Sequence, residues 1–277
     1  MDFTTDFYIA LPLAPCLTEI HTLTGENLFL VQGSRRAVLI DAGPGLGDLP
    51  GFVHRLTTLP LTVLLTHGHV DHAPGCALFG EVYMNPADRP VYRDHCTWRD
   101  EYVCGQVGAV DFPALAPQLC ALQPDKPMLA LHGGMVFDLG GLHIRAVELP
   151  GHTPGSMVFL LMEPRLLIAG DACTPSTYLF LPESSTVTAY RAAVCRVRDA
   201  LAGQYDHVYI SHGHPETSRT ILEEMPAVCD TVLAGRADGQ PFSFRGQNAR
   251  IAKACAGRFK RLDGGCANLV YDPLRLG

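Results

Sequence analysis

Short apolar runs alternate with longer amphipathic stretches along most of this chain. Short runs bounded by glycine, proline or polar turns are typical of buried strands, and longer stretches with apolar residues three or four positions apart are typical of helices. The pattern predicts strands at 28–31, 37–40, 62–66, 81–84, 135–138, 142–148, 157–161, 165–169, 208–210 and 268–271. It predicts helices at 49–58, 74–79, 188–202 and 218–234.

Several of these strands follow one another with only a short turn between them. The pairs within 137–149 and 158–168 have the spacing of hairpins, which excludes a purely parallel, doubly wound sheet. The pattern instead predicts an α/β fold with two mixed sheets and helices outside them. No linker is long or polar enough to divide the chain and no repeat has a fixed period, so we predict a single domain over residues 1–277.

The composition is that of a folded protein with a substantial core. Of the 277 residues, 47% are apolar and 18% are charged, which excludes a disordered chain. The formal net charge of −7 provides no basic field for a polyanion, so a nucleic-acid partner is not expected. No apolar run approaches the roughly eighteen residues of a membrane helix, so no membrane partner is expected either.

Two further features bear on the cellular compartment. The N-terminus reads Met-Asp-Phe-Thr-Thr-Asp, with acidic residues where a secretory signal requires basic ones, so we predict a cytoplasmic protein. The ten cysteines are scattered without a C-x-x-C pair, and we expect reduced and mostly buried thiols. No sequence feature indicates an oligomeric state.

The densest group of metal-ligating side chains lies directly after the strand predicted at 62–66. Residues 67–72 read His-Gly-His-Val-Asp-His, and imidazole nitrogen and carboxylate oxygen are donors that Zn²⁺ accepts. In an extended segment His67 and His69 point the same way, whereas Asp71 and His72 lie where the chain turns into a helix. The motif can therefore serve two neighbouring metal ions, and burying these polar groups together without a metal would be costly.

Three later segments place more candidate ligands just beyond the ends of apolar runs. His152 lies in a turn rich in glycine and proline, Asp171 ends an apolar run, and His212 and His214 follow another. A single histidine in such a position is more often an ordinary surface or core residue. The recurrence of the pattern at four predicted strand ends favours one common metal site.

In chain order these segments read H-x-H-x-D-H, G-H-T-P-G-S, G-D and H-G-x-P, and with them the chain resembles the metallo-β-lactamase superfamily from about residue 28 to residue 215. The resemblance implies a four-layer αββα sandwich of two mixed β-sheets. It also implies two metal sites that share one aspartate. Carried over by position, the first site uses His67, His69 and His152, the second uses Asp71, His72 and His212, and Asp171 bridges both metals.

The last ligand has two candidates, because His212 and His214 lie two residues apart on one segment. The family's usual G-H-G aligns best with Ser211-His212-Gly213, which favours His212 as the ligand. His214 is then a candidate for contact with the substrate.

The chemistry that follows is hydrolysis by two Zn²⁺ per chain, although Fe²⁺ or Mn²⁺ can occupy similar donors. Two zinc ions about 3.5–4 Å apart make a bridging hydroxide available near neutral pH, and one of them can stabilise the oxyanion of an attacked carbonyl. Asp71 is placed to orient the hydroxide and to pass a proton to the leaving group. We therefore predict a hydrolase acting on a small-molecule ester, thioester or lactone.

Other activities fit the same ligands less well. The bridging Asp171 resembles the glyoxalase II and lactonase branches, whereas the β-lactamases of the family lack it, which leaves β-lactam hydrolysis as a side activity. His69 stands where oxygen-reducing relatives carry glutamate, which favours zinc over iron. A mononuclear iron-dependent oxidoreductase, similar to the thiol dioxygenases of the family, is the main alternative. A non-catalytic metal-binding protein predicts eroded ligands, and this chain retains all seven.

Several features outside the ligand set have two interpretations each. Asp41 resembles the buried aspartate that orients the first motif, but an aspartate before Gly43 can equally form a turn. Cys173 is a thiolate ligand or a packed small residue, and Tyr178 is a hydroxyl donor to an oxyanion or a core aromatic. The aromatic-rich segment 86–123 is predicted as a lid over the metals, the alternative being a helical insertion with its own small core.

Overall fold

The computed structural model describes residues 3–277, and internal contacts divide the chain into two compact units. Unit 1 contains residues 1–145 and 211–215, and unit 2 contains residues 146–210 and 216–277. Met1 and Asp2, which begin the acidic N-terminus, lie outside the described residues. The prediction of a single domain with a lid insertion stays a prediction.

The main sheet of unit 1 has eight strands that are hydrogen-bonded in chain order. They are β1 (Phe3–Thr4), β2 (Tyr8–Ala14), β3 (Leu17–Thr22), β4 (Asn27–Gln32), β5 (Ala37–Ile40), β6 (Leu61–Leu64), β7 (Val82–Met84) and β8 (Leu129–Ala130). Strands β1 to β5 pair antiparallel, and β5 to β8 pair parallel. A hairpin of β9 (Val136–Asp138) and β10 (His143–Glu148) follows, and β10 continues into unit 2.

The central strands of this sheet bring the first histidine motif to a rigid edge. Strand β5 is Ala-Val-Leu-Ile with every residue buried, and β6 is Leu-Thr-Val-Leu with only its first residue half-buried. Such continuous apolar runs are typical of parallel strands that are covered on both faces. Because β6 ends at Leu64, residues 67–72 follow directly from the carboxyl end of a strand held by neighbours on both sides.

The helices of unit 1 are α1 (Leu49–Leu56), α2 (Arg89–Cys96), α3 (Arg99–Val107) and α4 (Phe112–Leu115), with 3₁₀ turns at Pro74–Leu78, Pro86–Asp88 and Ala116–Gln118. Helix α1 begins after Asp48, whose carboxylate accepts a hydrogen bond from the Gly51 N–H at 2.9 Å and so caps the helix. Its buried face, which includes Phe52 and Val53, packs into the apolar core of unit 1. Burying each such side chain contributes about 1.5–3 kcal/mol.

Unit 2 contributes ten further strands to the described residues. They are β11 (Met157–Leu161), β12 (Leu166–Gly170), β13 (Thr177–Leu179), β14 (His207–Ile210), β15 (Glu216–Thr217), β16 (Gln240–Phe244), β17 (Gln247–Ile251), β18 (Cys255–Ala256), β19 (Lys260–Arg261) and β20 (Leu269–Tyr271). Its helices are α5 (Val187–Leu201) and α6 (Ile221–Leu233), and Gly257–Phe259 is a 3₁₀ turn.

Two sheets organise these strands. The larger has the order β15-β14-β12-β11-β10 and is mixed, because β11 and β12 form an antiparallel hairpin whereas β12 and β14 pair parallel. Helices α5 and α6 pack on each other, and their apolar residues share a buried core with this sheet. The smaller sheet has the order β13-β20-β17-β16, and β18 pairs with β19 separately.

All ten predicted strands overlap strands of the structure, and residues 3–277 contain ten further strands that the pattern did not predict. Strands β5 and β11 have the predicted bounds, and α5 begins and ends one residue before its predicted limits. The helix predicted at 74–79 is a short 3₁₀ turn. The apolar pattern did not predict β2, β3, β16 or β17.

Among residues 3–277, no helix is long and apolar enough to cross a membrane. All ten cysteines are free thiols, as expected. Only Cys76, Cys96, Cys173 and Cys229 are buried, so the prediction of mostly buried thiols was wrong. The other six are half-buried.

Candidate metal centre

The first histidine motif places two groups of donor atoms at the carboxyl end of β6. His67, His69 and His72 are buried, and Asp71 is half-buried. The ligand atoms of His67 and His69 lie within 4.8 Å of each other and form the first group. The second group contains Asp71 and His72 together with His212.

Asp41 is the acceptor that orients this motif. It is 1% exposed; its Oδ1 accepts from the Thr66 N–H at 2.7 Å, and its Oδ2 accepts from the Thr66 hydroxyl at 2.7 Å and from His72 Nδ1 at 2.9 Å. Asp41 has a φ of 63°, a left-handed conformation that aspartate tolerates better than most residues. Of the two interpretations from the sequence, the orienting aspartate is confirmed.

These hydrogen bonds fix which imidazole nitrogen can bind a metal. The single hydroxyl proton of Thr66 goes to Asp41, so the Thr66 oxygen accepts the Nδ1 proton of His67 at 2.9 Å. His72 likewise gives its Nδ1 proton to Asp41. With the Nδ1 proton placed in this way, a neutral ring has its lone pair on Nε2, as a metal ligand requires.

The second group of donors has the spacing of a zinc coordination sphere. His72 Nε2, His212 Nε2 and Asp71 Oδ2 form a triangle with sides of 3.2, 3.3 and 3.4 Å. Donor atoms placed about 2.0–2.1 Å from a tetrahedral Zn²⁺ lie about 3.3 Å from one another. The donor set fits zinc both in chemistry and in geometry.

The segment that carries His212 is anchored to the same unit by β4 and the loop before it. The Asn27 N–H donates to the Ser211 carbonyl at 2.7 Å, and the Asn27 side chain donates to the Gly213 carbonyl at 3.1 Å. Glu26 and His212 form an isolated antiparallel bridge. His214, two residues further on, is exposed and belongs to neither donor group.

The Asp71 carboxyl has a pKa well below its usual range. Burial acts to raise this pKa, but the His72 and His212 imidazoles, through charge and hydrogen bonds to the carboxylate, outweigh burial. Asp71 is therefore ionised at neutral pH. In a reaction it begins as an acceptor of protons.

Unit 2 holds the other two predicted ligands beside one another. His152 follows β10 and is 4% exposed, and its Nδ1 donates to the Tyr178 carbonyl at 2.9 Å, which again leaves the lone pair on Nε2. Asp171 follows β12, and its Oδ2 lies 3.8 Å from His152 Nε2. Gly151 allows this turn, because a Cβ there would lie 2.2 Å from the Tyr190 ring.

The structure bears on the two interpretations given above for Cys173 and for Tyr178. Cys173 is fully buried, its thiol donates to the Ile221 carbonyl at 3.8 Å, and burial raises its pKa far above the usual range. Cys173 belongs to neither group of donor atoms, which supports the packed residue over the thiolate ligand. The Tyr178 ring packs among phenylalanine rings, and a role for its hydroxyl stays a prediction.

The segment 86–123 packs directly against the first motif. The buried Asp88 carboxylate accepts from the Gly68 N–H at 2.8 Å, and His95 Nδ1 accepts from the Val70 N–H at 3.2 Å. The His95 ring stacks on His69 with centroids 4.3 Å apart and planes 10° apart. A Cβ on Gly68 would lie 2.7 Å from the Asp88 carbonyl oxygen, so only glycine fits this contact.

Sequence reasoning missed Asp88 and His95 as supports of the motif. It also missed Glu26, which is fully buried and accepts hydrogen bonds from the hydroxyls of Thr22, Thr24 and Tyr102. No motif or spacing marks these residues, because Asp88, His95 and the Tyr102 contact of Glu26 all join residues that are distant in the chain.

The comparison with known families decides which family this centre belongs to. The model of the metallo-β-lactamase superfamily matches residues 21–214. The chain belongs to this superfamily. The match includes all seven predicted ligands, and the groups of histidine and aspartate side chains in the structure are of the kind that binds metal ions.

Curated relatives of this superfamily member are named as thioesterases. The chain is 28% identical over 187 residues to the acyl-coenzyme A thioesterase MBLAC2 of Gallus gallus, covering 62% of this chain and 66% of that protein. It is 28% identical over 162 residues to the Homo sapiens protein of that name, covering 52% and 57%. It is 27% identical over 157 residues to the atrochrysone carboxyl ACP thioesterase of Passalora fulva, covering 54% and 38%. The matches thus span two thirds or less of these relatives.

Solved structures show the fold of the superfamily. A metallo-β-lactamase family protein from Thermus thermophilus has a TM-score of 0.54 and 23% identity, covering 86% of this chain and 84% of that one. A β-lactamase domain protein from Burkholderia ambifaria has a TM-score of 0.56 and 21% identity, covering 84% and 81%. The predicted fold class, a mixed α/β metallo-β-lactamase fold, is confirmed, and the superfamily supports the prediction of a metal-dependent hydrolase.

Proposed function

We propose that this superfamily member is a dinuclear zinc hydrolase that cleaves a small-molecule thioester. Its first site would use His67, His69 and His152, its second site would use Asp71, His72 and His212, and Asp171 would be shared. The observation that carries the proposal is the triangle of His72, His212 and Asp71 donor atoms, whose sides of 3.2–3.4 Å match a zinc coordination sphere.

Three hydrogen bonds support the same assignment. Each of His67, His72 and His152 gives its Nδ1 proton to an oxygen of the protein at 2.9 Å, which leaves Nε2 to the metal. Such partners fix the ring orientation and raise the basicity of the ligand. The names of the relatives support the thioester over the lactone and the oxygen ester, because two separate groups of them are thioesterases.

The metals, when bound, supply a water of lowered pKa and a Lewis acid for the carbonyl oxygen of the substrate. The chain's own contribution begins with Asp71. Its Oδ2 is directed at His72 and His212, which leaves Oδ1 to accept a proton from the attacking water and to return it to the leaving group.

Hydrolysis of a matched set of substrates tests the proposal. Zinc-loaded protein is assayed with a thioester, an oxygen ester and a lactone that carry the same acyl group. We expect the thioester to have the highest kcat/KM. Faster turnover of the lactone would assign the lactonase branch instead, and failure to cleave any of the three would reject the proposed function.

Metal analysis tests the ligand set without reference to activity. Protein purified without added metal should contain close to two metal ions per chain, mainly zinc. The reason is that the seven proposed ligands comprise three for each metal ion and one carboxylate that both would share. Elemental analysis measures this directly. One iron and no zinc in active protein would support the iron-dependent oxidoreductase and would contradict the hydrolase.

One variant separates ligand orientation from ligation. Asp41→Asn has one acceptor oxygen for three donors, the Thr66 N–H, the Thr66 hydroxyl and His72 Nδ1, so the network loses at least one hydrogen bond and we expect zinc affinity to fall about 10–100-fold. Competition with a chelator measures the affinity. Asp125→Asn, which removes an 84% exposed carboxylate, is the matched control and should bind zinc as the wild type does. Equal affinities in the two variants would show that the imidazoles do not depend on Asp41.

A further inference from the structure

Five aromatic rings form one cluster on the smaller sheet of unit 2. This cluster, named here the aromatic face, consists of Tyr178, Phe180, Phe242, Phe244 and Phe259. Its ring centroids are 5.0–6.3 Å apart in seven pairs with tilted or edge-on geometry. Phe242 and Phe244 lie two positions apart on β16 and so occupy the same side of the sheet.

The aromatic face is partly exposed, with Phe244 at its open side. Phe180 is 4% exposed, but Phe244 is 37% exposed, and Tyr178, Phe242 and Phe259 are half-buried. A cluster that served only as core would bury its largest rings first. Contiguous apolar rings that remain partly exposed are typical of a surface that binds an apolar ligand.

The backbone of the aromatic face is strained at one ring. Phe259 has a φ of 59°, in the left-handed region that bulky side chains rarely adopt. This conformation brings its ring to 5.8 Å from Phe242 and 6.3 Å from Tyr178. Backbone strain of this kind is concentrated at active sites and ligand-binding segments.

The aromatic face begins at a residue that holds a proposed metal ligand. The Tyr178 carbonyl accepts the Nδ1 proton of His152 at 2.9 Å, while the ring of the same residue joins the aromatic face. Tyr178 therefore links the aromatic face to the proposed ligand His152 through a single residue.

The same stretch of chain carries a local excess of positive charge. Residues 238–263 contain six basic residues and two acidic ones, and Arg261 pairs with Asp263, so five basic residues and one aspartate remain in a chain whose net charge is −7. Arg245 directly follows β16, and Lys260 directly follows Phe259; both are exposed. Apolar rings flanked by cations complement a ligand with an apolar tail and an anionic carrier.

We propose that the aromatic face binds the acyl chain of a long-chain thioester and that the flanking cations bind its phosphate-bearing carrier. This inference rests on the proposed thioester hydrolysis and names its substrate class. Both coenzyme A and a carrier protein with a phosphopantetheine arm offer this chemistry. The experiment distinguishes the two.

The first test compares acyl chain lengths in the zinc-loaded full chain. Phe244→Ala should lower kcat/KM for decanoyl-coenzyme A about tenfold and leave acetyl-coenzyme A within about twofold, because only the longer chain reaches the ring. Leu274→Ala removes a 90% exposed apolar residue of the same unit and should change neither. An equal loss on both substrates in Phe244→Ala would overturn the acyl subsite.

The second test isolates the cations. Arg245→Glu should slow cleavage of decanoyl-coenzyme A and leave the uncharged decanoyl-N-acetylcysteamine thioester unaffected, whereas Arg196→Glu, on the exposed face of α5, should change neither. A loss confined to a decanoyl carrier protein would identify the protein-bound substrate. No effect of Arg245→Glu on either carrier would overturn the charged part of the site.

Binding separates this inference from the proposed function. Calorimetry with a decanoyl-coenzyme A thioether, which cannot be hydrolysed, should show weaker binding to Phe244→Ala than to Leu274→Ala. If no thioester is cleaved but this difference appears, acyl-chain binding by the aromatic face is supported and the proposed hydrolysis is rejected. If thioesters are cleaved and both variants bind equally, the proposed hydrolysis is supported and acyl-chain binding by the aromatic face is rejected.

Discussion

Asp71→Asn protein saturated with zinc will cleave its substrate about a hundred- to ten-thousand-fold more slowly than the wild type, the range that general acid–base catalysis supplies. Asparagine keeps the size of the side chain and one oxygen donor, but it removes the charge and the proton acceptor. Metal analysis of the same samples must show full occupancy, so that loss of zinc is not mistaken for loss of catalysis. A wild-type rate at full occupancy would mean that Asp71 only holds metal.

A comparison of leaving groups tests whether Asp71 also returns a proton to the leaving group. A thiolate leaves readily without a proton, since thiol pKa values are about 8.5, whereas an alkoxide does not. If Asp71 returns its proton to the leaving group, Asp71→Asn should slow an oxygen ester more than the matched thioester. Equal slowing of both would restrict Asp71 to accepting the proton of the attacking water.

His212→Ala will lose one metal ion and nearly all activity, while His214→Ala will keep both metal ions. The reason is that His212 Nε2 lies 3.2 Å from Asp71 Oδ2 and 3.3 Å from His72 Nε2, whereas His214 is exposed and outside the donor group. Elemental analysis and a rate assay on both proteins are sufficient. A larger KM in His214→Ala with normal metal content would support its predicted contact with substrate, and metal loss only in His214→Ala would reverse the assignment.

The sequence predicted which polar side chains lie together at the strand ends, because metal ligands must be specific residue types in a fixed order. His67, His69, Asp71 and His72 lie at a strand end as predicted, and each unit brings its own predicted donors together. The supports around them were harder to predict. Asp88 and His95 act on the backbone N–H groups of Gly68 and Val70, and nothing in their local sequence distinguishes them from ordinary helix residues.

The missed strands have particular physical causes. Strand β2 contains Pro12, which argues against a strand, but the register shifts between Pro12 and Ala14 and the irregularity accommodates the ring. Strands β16 and β17 are joined by Arg245 and Gly246, both with positive φ. Hairpins with that backbone usually carry asparagine or aspartate before the glycine. Because Arg245 occupies that position, the sequence did not indicate a turn.

The hydrogen bonds of Asp41 also bear on the order of folding and metal binding. Small zinc domains lack a core and become ordered only as the ion binds. Here a buried hydrogen-bond network beside an extensive apolar core holds Asp41, Thr66 and the rings of His67 and His72. Folding alone therefore orients these side chains. Uptake of the metal ions that we propose would then follow folding, because the side chains that would hold them are oriented before any metal binds.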